Sequence, residues 1–395
     1  MPPLAVTAST VTSALGRGKA AAWQAITAER TGLRSNDFAD AALATWVGRV
    51  DGLEDAPLLG ELAPFDCRNN RLAVMALQPD GFEAAARAAV QRYGGDRVGV
   101  FIGTSTSGIR ETEIAYQERP NESAPLRDGL RFPQTHGLFS VVGLLQALLG
   151  ASGPSLAIST ACSSSAKVFA SAQRAMAAGL CDAAIVGGVD TLCLTTLYGF
   201  HSLELVSSHP CRPWDASRDG INIGEAGGFA LLERAPVGNG VVHLLGYGES
   251  SDAHHMTAPH PQGLGALRAM EDALARGDIA AERVDYVNLH GTATPTNDAA
   301  EDHAVTKLFG TGVPCSSTKG WTGHTLGAAG IVEALITLLA IEHGYLPGTL
   351  NLERRDPALR AGVLQHGHAG NVRVALSNSF GFGGNNCSLL FGRAE

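Results

Sequence analysis

The chain contains the same sequence pattern twice: a short apolar strand, a turn of small residues and then an apolar helix. Residues 154–158 predict a buried strand, and residues 166–179 have the alanine-rich pattern of a helix that ends at glycine. Residues 314–339 repeat this order of strand, glycine-rich turn and helix. Two further apolar strands, at 97–102 and 284–289, also run into turns of similar composition.

This alternation of apolar strands and helices restricts the fold to an α/β architecture. Continuous apolar strands are buried on both faces, so we expect parallel or mixed sheets covered by helices. The repetition predicts two related halves, which we place at residues 1–240 and 241–395. Because ligands bind at the carboxyl ends of strands in such sheets, the two halves are expected to share one central site.

Composition is typical of a compact enzyme and disfavours several other classes of protein. Of the 395 residues, 45% are apolar, 17% are charged and 48 are glycine, which argues against disorder. The net charge of −9, without long Lys/Arg runs, makes nucleic acid an unexpected partner. The seven cysteines show no CxxC pair and no metal-finger spacing, so we expect neither a disulfide framework nor a bound metal.

The sequence predicts a cytoplasmic protein without a membrane span. Residues 1–16 have no basic segment, and their apolar residues are interrupted by Thr and Ser, which is not typical of a signal peptide. The most apolar later stretch, residues 326–341, is short for a bilayer and carries Glu333 in its middle.

Cys162 lies in the run TACSSS, where the first strand turns into its helix. Such a turn would place free N–H groups and the positive end of the helix dipole near the sulfur, so we expect a stabilised thiolate. The small neighbours would leave the sulfur open to a bulky electrophile. Most buried cysteines are simply small hydrophobic residues, so this run alone leaves both interpretations open.

Three other segments combine glycines with polar side chains next to strands. The motif HGTATP puts His290 at a strand end, KGWTGHTLGAAG puts Lys319 and His324 in a glycine-rich loop, and NSFGFGGNN follows the last strong strand. Glycines let the backbone approach a ligand closely and let N–H groups point into a pocket. Each of these residues, taken alone, also has an ordinary structural interpretation.

Taken together, TACSSS, HGTATP, KGWTGH with LGAAG, and GFGGNN resemble the elongating β-ketoacyl-acyl carrier protein synthases. The resemblance covers nearly the whole chain, with the motifs in the same order. It implies the thiolase fold, in which two βα halves form a five-layer αβαβα arrangement that usually dimerises.

The resemblance implies a decarboxylative Claisen condensation of an acyl chain with malonyl-acyl carrier protein, giving 3-ketoacyl-acyl carrier protein and CO2. Cys162 would carry the acyl chain, and its backbone N–H together with that of Phe382 would bind the oxyanion. Neutral His290 and His324 would donate hydrogen bonds to the enolate that remains after CO2 leaves.

Supporting roles are also implied by the resemblance. Lys319 would order the two histidines electrostatically and form a buried ion pair with Glu301. Phe382 would also gate access to Cys162. Four residues of the HGTATP and GFGGNN motifs are implied to bind the substrate: Thr292, Thr294, Gly383 and Asn386.

The implied partner is an acyl carrier protein, which brings the phosphopantetheine, so no cofactor of the enzyme itself is expected. Residues 187–190 lack the spacing of a nucleotide fingerprint and are predicted to form a turn. Because carrier proteins are acidic, we expect a basic rim at the entrance of the site. The four candidates for this rim, which also have an ordinary interpretation as solvated surface arginines, are Arg68, Arg71, Arg127 and Arg131.

Some features differ from housekeeping fatty-acid synthases of this family. Lys167 stands where many members have histidine, and GGNN replaces the commoner GGTN. The stretches FDCRNNRL and GTSTSGI are similar to ketosynthases of bacterial aryl-polyene pigment clusters. Some of those enzymes pair with a cysteine-lacking chain-length factor, so the expected partner subunit is a second copy or such a paralogue.

Two alternatives are a rival enzyme with the same fold and a non-catalytic subunit, which belongs to a different functional class. A thiolase acting on coenzyme A thioesters would share the fold and a reactive cysteine, but it would lack the Lys–His loop. Cys387, the candidate for its second cysteine, follows GFGGNN instead of lying in a Cys-Gly pair. The other alternative is a non-catalytic subunit of the chain-length-factor type, which Cys162 disfavours because such subunits replace the nucleophile.

Overall fold

A computed structural model of the protein describes residues 1–39, 41–127, 130–234 and 240–393. Its helices are α1 Lys19–Thr27, α2 Arg68–Leu77, α3 Phe82–Tyr93, α4 Ile109–Gln117, α5 Ser140–Leu149, α6 Ser164–Ala177, α7 Leu194–Ser202, α8 Leu264–Gly277, α9 Pro295–Phe309, α10 Lys319–Thr322 and α11 Ala329–His343. Its strands are β1 Leu4–Ser13, β2 Gly16–Arg17, β3 Arg34–Ser35, β4 Trp46–Gly48, β5 Val98–Gly103, β6 Ser155–Ile158, β7 Ala183–Asp190, β8 Ile223–Gly224, β9 Ala226–Arg234, β10 Val242–Ser251, β11 Tyr286–Asn288, β12 Pro314–Ser316, β13 Tyr345–Leu346, β14 Gly362–Val363, β15 His368–Ala369, β16 Val374–Gly381 and β17 Asn385–Arg393.

The main sheet contains two copies of one strand order. In the first half the order is β6-β5-β7-β9-β1, and in the second it is β12-β11-β16-β17-β10, with β14 added at the edge. The first three strands of each series are parallel, and the last two are antiparallel to their neighbours. β1 and β10 pair with each other and join the halves. The predicted duplication is confirmed.

Helices form three layers around the two halves of the sheet. α6 and α11 lie in the middle, where they contact strands of both halves. α2, α3 and α5 pack on the first half, and α8 packs on the second half and against α9. This is the five-layer αβαβα arrangement that the resemblance implies.

The middle helix α11 is buried along nearly its whole length. By length and composition alone, Leu326–His343 would be able to cross a membrane, with a mean hydropathy of 1.6. However, 89% of this stretch is buried inside the molecule, which is typical of a core helix. Glu333, the acid in its middle, faces the interior and is 3% exposed.

Two local predictions are wrong. β6 is not buried on both faces, because it pairs only with β5 at the edge of the sheet and leaves Leu156 48% exposed. Residues 187–190 form the end of β7 instead of a turn, because their backbone pairs with β5 and β9.

The boundary between the halves, placed at residues 240 and 241, stays a prediction. It adjoins residues 235–239, which lie outside the described part of the chain, as do residues 394 and 395 at the end of the second half.

The candidate site residues lie just after four strands. Cys162 follows β6, His290 follows β11, Lys319 and His324 follow β12, and Phe382 follows β16. All four are members of the parallel part of their half-sheet, so their carboxyl ends point to the same region between the halves.

Candidate active site

Cys162 sits on a tight, strained turn between β6 and α6. The preceding residue, Ala161, has a left-handed backbone with φ of 52°, a conformation that costs a non-glycine residue roughly 1–2 kcal/mol. The hydroxyl of Ser164 holds the turn by accepting the Thr160 N–H at 2.9 Å and donating to the Ala161 carbonyl at 2.6 Å. These hydrogen bonds hold the strained turn and thereby fix the position of the sulfur.

The turn around Phe382 comes from the second half and packs directly on this nucleophile turn. At Gly381, a Cβ would lie 2.7 Å from the Thr160 carbonyl oxygen and 3.1 Å from the Cys162 nitrogen, so only glycine fits. The Phe382 backbone N–H interacts with the Cys162 sulfur and lowers its pKa. It is therefore placed as one of the two predicted oxyanion donors.

The sulfur of Cys162 and one ring nitrogen each of His290 and His324 all lie within 4.8 Å of one another. The two imidazoles are nearly perpendicular, with ring centroids 5.3 Å apart and an angle of 83° between planes. All three residues are buried. The structure thus brings together the three groups on which the predicted chemistry depends.

Hydrogen bonds to the Nδ1 atoms define the tautomers of both histidines. Nδ1 of His324 accepts the Leu326 N–H at 3.1 Å, and Nδ1 of His290 faces the Lys319 ammonium at 3.3 Å. Each Nδ1 is therefore an acceptor, so the proton of each neutral ring is on Nε2. Binding a metal through Nε2 would require a proton shift on both rings, so this trio favours hydrogen-bond donation over metal ligation.

Both histidines are held neutral. Burial is the main cause that lowers the pKa of His290 well below its ordinary value, and Lys319 and His324 lower it further. Burial, and then Lys319, lower the pKa of His324 in the same way. The rings can therefore donate hydrogen bonds at neutral pH without carrying a positive charge.

The site favours the thiol form of Cys162 over the predicted thiolate. Burial raises the pKa of Cys162 to about 12, and this effect outweighs the lowering by Lys319 and by the Phe382 N–H. In the absence of substrate the sulfur is therefore a thiol at neutral pH, and it must lose its proton as it attacks.

Lys319 pairs with Glu333 and not with the predicted partner Glu301. It begins the short helix α10, is 1% exposed, and places its ammonium against the Glu333 carboxylate and the His290 carbonyl. The sequence signal for Glu333 was an acid in the middle of an otherwise apolar helix. Its pKa is raised by burial, with the Lys319 ammonium opposing the rise.

Glu301 supports His290 through the backbone. Its carboxylate accepts the N–H groups of His290 and Gly291, each at 2.8 Å, and the side-chain amide of Asn378 at 3.1 Å. Burial raises the pKa of Glu301 to about 7. Its role is to fix the strand end that carries the histidine.

A cavity of about 250 Å³ is lined by Cys162, His290 and His324. All four predicted substrate-binding residues line it: Thr292, Thr294, Gly383 and Asn386. Phe382 lies beside Phe200, with ring centroids 5.6 Å apart, and both line the cavity that Cys162 also lines, while the gating role of Phe382 stays a prediction. Cys387 is buried in β17 and is not among the described residues that line the cavity, which disfavours a thiolase.

The sequence does not predict two of the walls of this cavity. One is apolar, formed by α7 and the segment after it, and contributes Phe200, Leu203, Leu205 and Ile221. The other follows β10 and contributes Asp252 and residues 256–259. Asp252 accepts the Asn386 side-chain amide at 3.0 Å. The only sequence signal was a polar, histidine-rich stretch directly after a strand.

The four candidate docking arginines have different environments. Arg68 is buried and its guanidinium binds the carboxylates of Glu225 and Glu54, so the prediction that it docks a carrier protein is wrong.

The remaining three arginines stay predictions. Arg71 is 21% exposed and pairs with Asp66 at 2.7 Å. Arg127 is 42% exposed and pairs with Glu118, and Arg131 is exposed.

The sequence matches the family described as "Beta-ketoacyl synthase, N-terminal domain" over residues 1–237 and the corresponding C-terminal domain over residues 241–353. The chain belongs to the β-ketoacyl synthase family. It is 31% identical to 3-oxoacyl-[acyl-carrier-protein] synthase 2 of Vibrio cholerae over 98% of both chains. The mitochondrial 3-oxoacyl-[acyl-carrier-protein] synthase of Arabidopsis thaliana is 41% identical over 61% of this chain and 57% of its own length.

Solved structures of β-ketoacyl synthases have the same fold. The ketosynthase ApeO of Xenorhabdus doucetiae, solved in complex with its chain length factor ApeC, is 37% identical, with a TM-score of 0.90 over 100% of this chain and 98% of that one. A β-ketoacyl synthase from Burkholderia phymatum is 27% identical, with a TM-score of 0.88 over the whole of both chains. The thiolase fold predicted from the resemblance is confirmed.

This β-ketoacyl synthase is therefore an acyltransferase. It condenses an acyl chain with malonyl-acyl carrier protein in chain elongation, as the family and its named relatives show. The non-catalytic and thiolase alternatives are not supported.

Proposed function

We propose that the condensation proceeds in two half-reactions on Cys162. In the first, the sulfur attacks the thioester carbonyl of an acyl-carrier protein, and the N–H groups of Cys162 and Phe382 bind the oxyanion. The carbon–sulfur bond to the carrier breaks, the acyl group stays on Cys162, and the thiol proton leaves with the carrier thiol. Thr292 and Thr294 hold the phosphopantetheine arm.

In the second half-reaction, malonyl-carrier protein loses CO2 beneath the two histidines. The bond between its methylene carbon and its carboxylate breaks, and the electron pair moves to the thioester oxygen as an enolate. Nε2–H groups of His290 and His324 donate to that oxygen. The methylene carbon then attacks the acyl-Cys162 carbonyl, the carbon–sulfur bond breaks, and the Cys162 sulfur takes a proton from solvent water as the 3-ketoacyl product leaves.

A single observation supports this assignment most strongly: both neutral rings have Nδ1 occupied, so their protons lie on Nε2, and one nitrogen of each ring lies within 4.8 Å of the Cys162 sulfur. Two fixed neutral donors suit an enolate, because they stabilise developing charge without protonating the carbanion. The chemistry needs neither a metal nor a redox group, so we propose that the enzyme has no resident cofactor. We also propose that it acts in the cytoplasm.

We also propose that the enzyme extends an aryl-polyene or related polyketide chain together with a cysteine-lacking paralogue. ApeO, which is 37% identical over the whole chain, was solved with a chain length factor. The open edge of β6 exposes Leu156, and α5, which packs on β6, is preceded by exposed Leu138 and Phe139. Such an apolar surface beside an unpaired strand suits a second subunit.

The reaction is tested by incubating purified enzyme with a panel of acyl-carrier proteins and malonyl-carrier protein, and weighing both protein and product. Conjugated polyene acyl groups are expected to load Cys162 faster than saturated groups of equal length. Preferred loading of saturated chains would contradict the pathway assignment while leaving the condensation intact.

The partner is tested by co-expression with a neighbouring ketosynthase-like paralogue and size-exclusion chromatography. A one-to-one heterodimer supports the proposal. A homodimer that elongates polyene chains without the paralogue would overturn it.

A further inference from the structure

Asp190 is a buried acid that the mechanism above does not use. It ends β7, is 0% exposed, and lies where the two halves of the molecule meet. Its carboxylate accepts hydrogen bonds from neutral groups of the turn after β5: the Thr104 hydroxyl at 2.7 Å and the N–H groups of Ser105 and Thr106 at 2.8 and 2.9 Å. The hydroxyls of Ser105 and Thr106 also donate to it.

A further hydrogen bond connects Asp190 to the histidine loop of the second half. Oδ2 accepts the Gly327 N–H at 2.6 Å, and the Ser105 hydroxyl lies 3.3 Å from the same nitrogen. The preceding N–H, that of Leu326, donates to Nδ1 of His324. Two consecutive N–H groups thus join Asp190 on one side to the catalytic imidazole on the other.

The backbone between these two hydrogen bonds is strained and tightly packed. Leu326 has φ of 54°, in the left-handed region that a β-carbon disfavours. At Gly327, a Cβ would lie 2.7 Å from Asp190 Oδ2 and 2.9 Å from the Ser105 nitrogen. A strained conformation persists only when its surroundings hold it, and here the surroundings are the Asp190 carboxylate and the Ser105 turn.

We propose that Asp190 is a positioning residue that sets the tautomer and orientation of His324, and that it serves the decarboxylation half-reaction in particular. By holding the Gly327 N–H it keeps the Leu326 N–H aimed at Nδ1, which leaves the proton on Nε2, toward the substrate. The nucleophile turn has its own supports in Ser164 and Gly381, so its geometry does not depend on this connection. The Asp190 charge also contributes to the raised pKa of Cys162, so its removal would favour acyl transfer and not slow it.

The role is specific to a carboxylate. Oδ1 and Oδ2 both accept hydrogen bonds, and in Asp190→Asn one of these positions would become an NH2 group facing other donors. The amide would repel either the Ser105 turn or the Gly327 N–H, and the Leu326 peptide would be free to rotate.

The proposal rests on the proposed function for its kinetic consequence, but its structural consequence is measured separately. In Asp190→Asn, we expect decarboxylation of malonyl-carrier protein to fall about 100-fold, with acyl loading of Cys162 within about threefold of wild type. Nitrogen-15 NMR of ring-labelled enzyme should show the His324 resonances changing from a pure Nε2–H tautomer to a mixture.

Two further variants make the test decisive. Ser105→Ala removes the hydroxyl that lies between the Asp190 carboxylate and the Gly327 N–H. It should slow decarboxylation and mix the His324 tautomers in the same direction as Asp190→Asn, but by less. It can be measured even if Asp190→Asn does not fold. Asp302→Asn is the matched control, since Asp302 is also buried and accepts two backbone N–H groups, from Arg360 and Ala361, away from His324.

An unchanged His324 tautomer in the Asp190 and Ser105 variants would overturn the proposal. Equal losses of loading and decarboxylation, matched by the Asp302 variant, would also overturn it. If wild-type enzyme fails to condense while the NMR change is seen, the proposed function fails and the positioning role stands.

Discussion

Lys319 forms a buried ion pair with Glu333, and the same ammonium lies 3.3 Å from Nδ1 of His290. The pair connects α10 to the middle helix α11, so a core helix determines where the charge beside the histidine lies. Because the ammonium faces Nδ1, it helps to keep His290 neutral with its proton on Nε2. We therefore expect Lys319 to act on His290 electrostatically and by orienting its ring.

The Lys319–Glu333 pair should matter to stability mainly when it is broken. Lys319→Met leaves a buried carboxylate without its cation and is expected to lower the free energy of unfolding by about 3–5 kcal/mol. Combining it with Glu333→Leu should recover most of that loss, because a well-packed apolar pair tolerates burial. Urea denaturation of the single and double variants measures this, and additive losses would contradict the assignment.

The thiol form of Cys162 predicts how its alkylation depends on pH. Only the thiolate reacts, and at a pH below the pKa its fraction grows tenfold per pH unit. With a pKa of about 12 in the free enzyme, the iodoacetamide rate at Cys162 should still be rising at pH 9–10. Intact-mass kinetics from pH 6 to pH 10 will show this, whereas a plateau near pH 7 would indicate the thiolate expected from the helix end.

Removal of His324 should separate the two half-reactions. His324→Ala deletes one of two donors to the enolate and is expected to slow decarboxylation by about 10²–10³-fold, the usual effect of losing one preorganised donor. Loading of Cys162 should continue, since the proposed donors to that oxyanion are the N–H groups of Cys162 and Phe382. Mass spectrometry of the loaded protein and release of CO2 report the two steps, and parallel losses would refute separate roles.

Substitution of two of the candidate docking arginines should change different properties of the enzyme, KM at Arg131 and stability at Arg68. Arg131 is exposed, so Arg131→Glu is expected to raise KM for carrier substrates roughly tenfold with little change in kcat or Tm. Arg68 is buried between carboxylates, so Arg68→Met should lower the free energy of unfolding by about 3–5 kcal/mol. An unchanged KM in Arg131→Glu would remove that residue from the docking surface.

The sequence predicted those parts of the site that depend on local pattern. Cys162 and His290 follow apolar strands, and the glycines around His324 and Phe382 mark places where backbones approach closely. The duplication was also visible, because buried strands and helices alternate with distinct periodicities.

What the sequence did not reveal depends on long-range packing. Glu301 and Glu333 are both buried acids on helices, and only the tertiary arrangement shows that Glu333 reaches Lys319 while Glu301 holds the His290 backbone. The docking role predicted for Arg68 failed for the same reason, since its partner Glu225 is 157 residues away. The raised pKa of Cys162 reflects burial by both halves, which a local helix argument cannot include.

The most direct test of the account follows the mass of the enzyme through one turnover. Wild-type protein mixed with acyl-carrier protein should gain the mass of one acyl group on Cys162, and then lose it as 3-ketoacyl-carrier protein when malonyl-carrier protein is added. Cys162→Ala should gain no mass and form no 3-ketoacyl product. Formation of that product by Cys162→Ala, or an acyl group mapped to another residue, would contradict carbon–carbon bond formation at this cysteine.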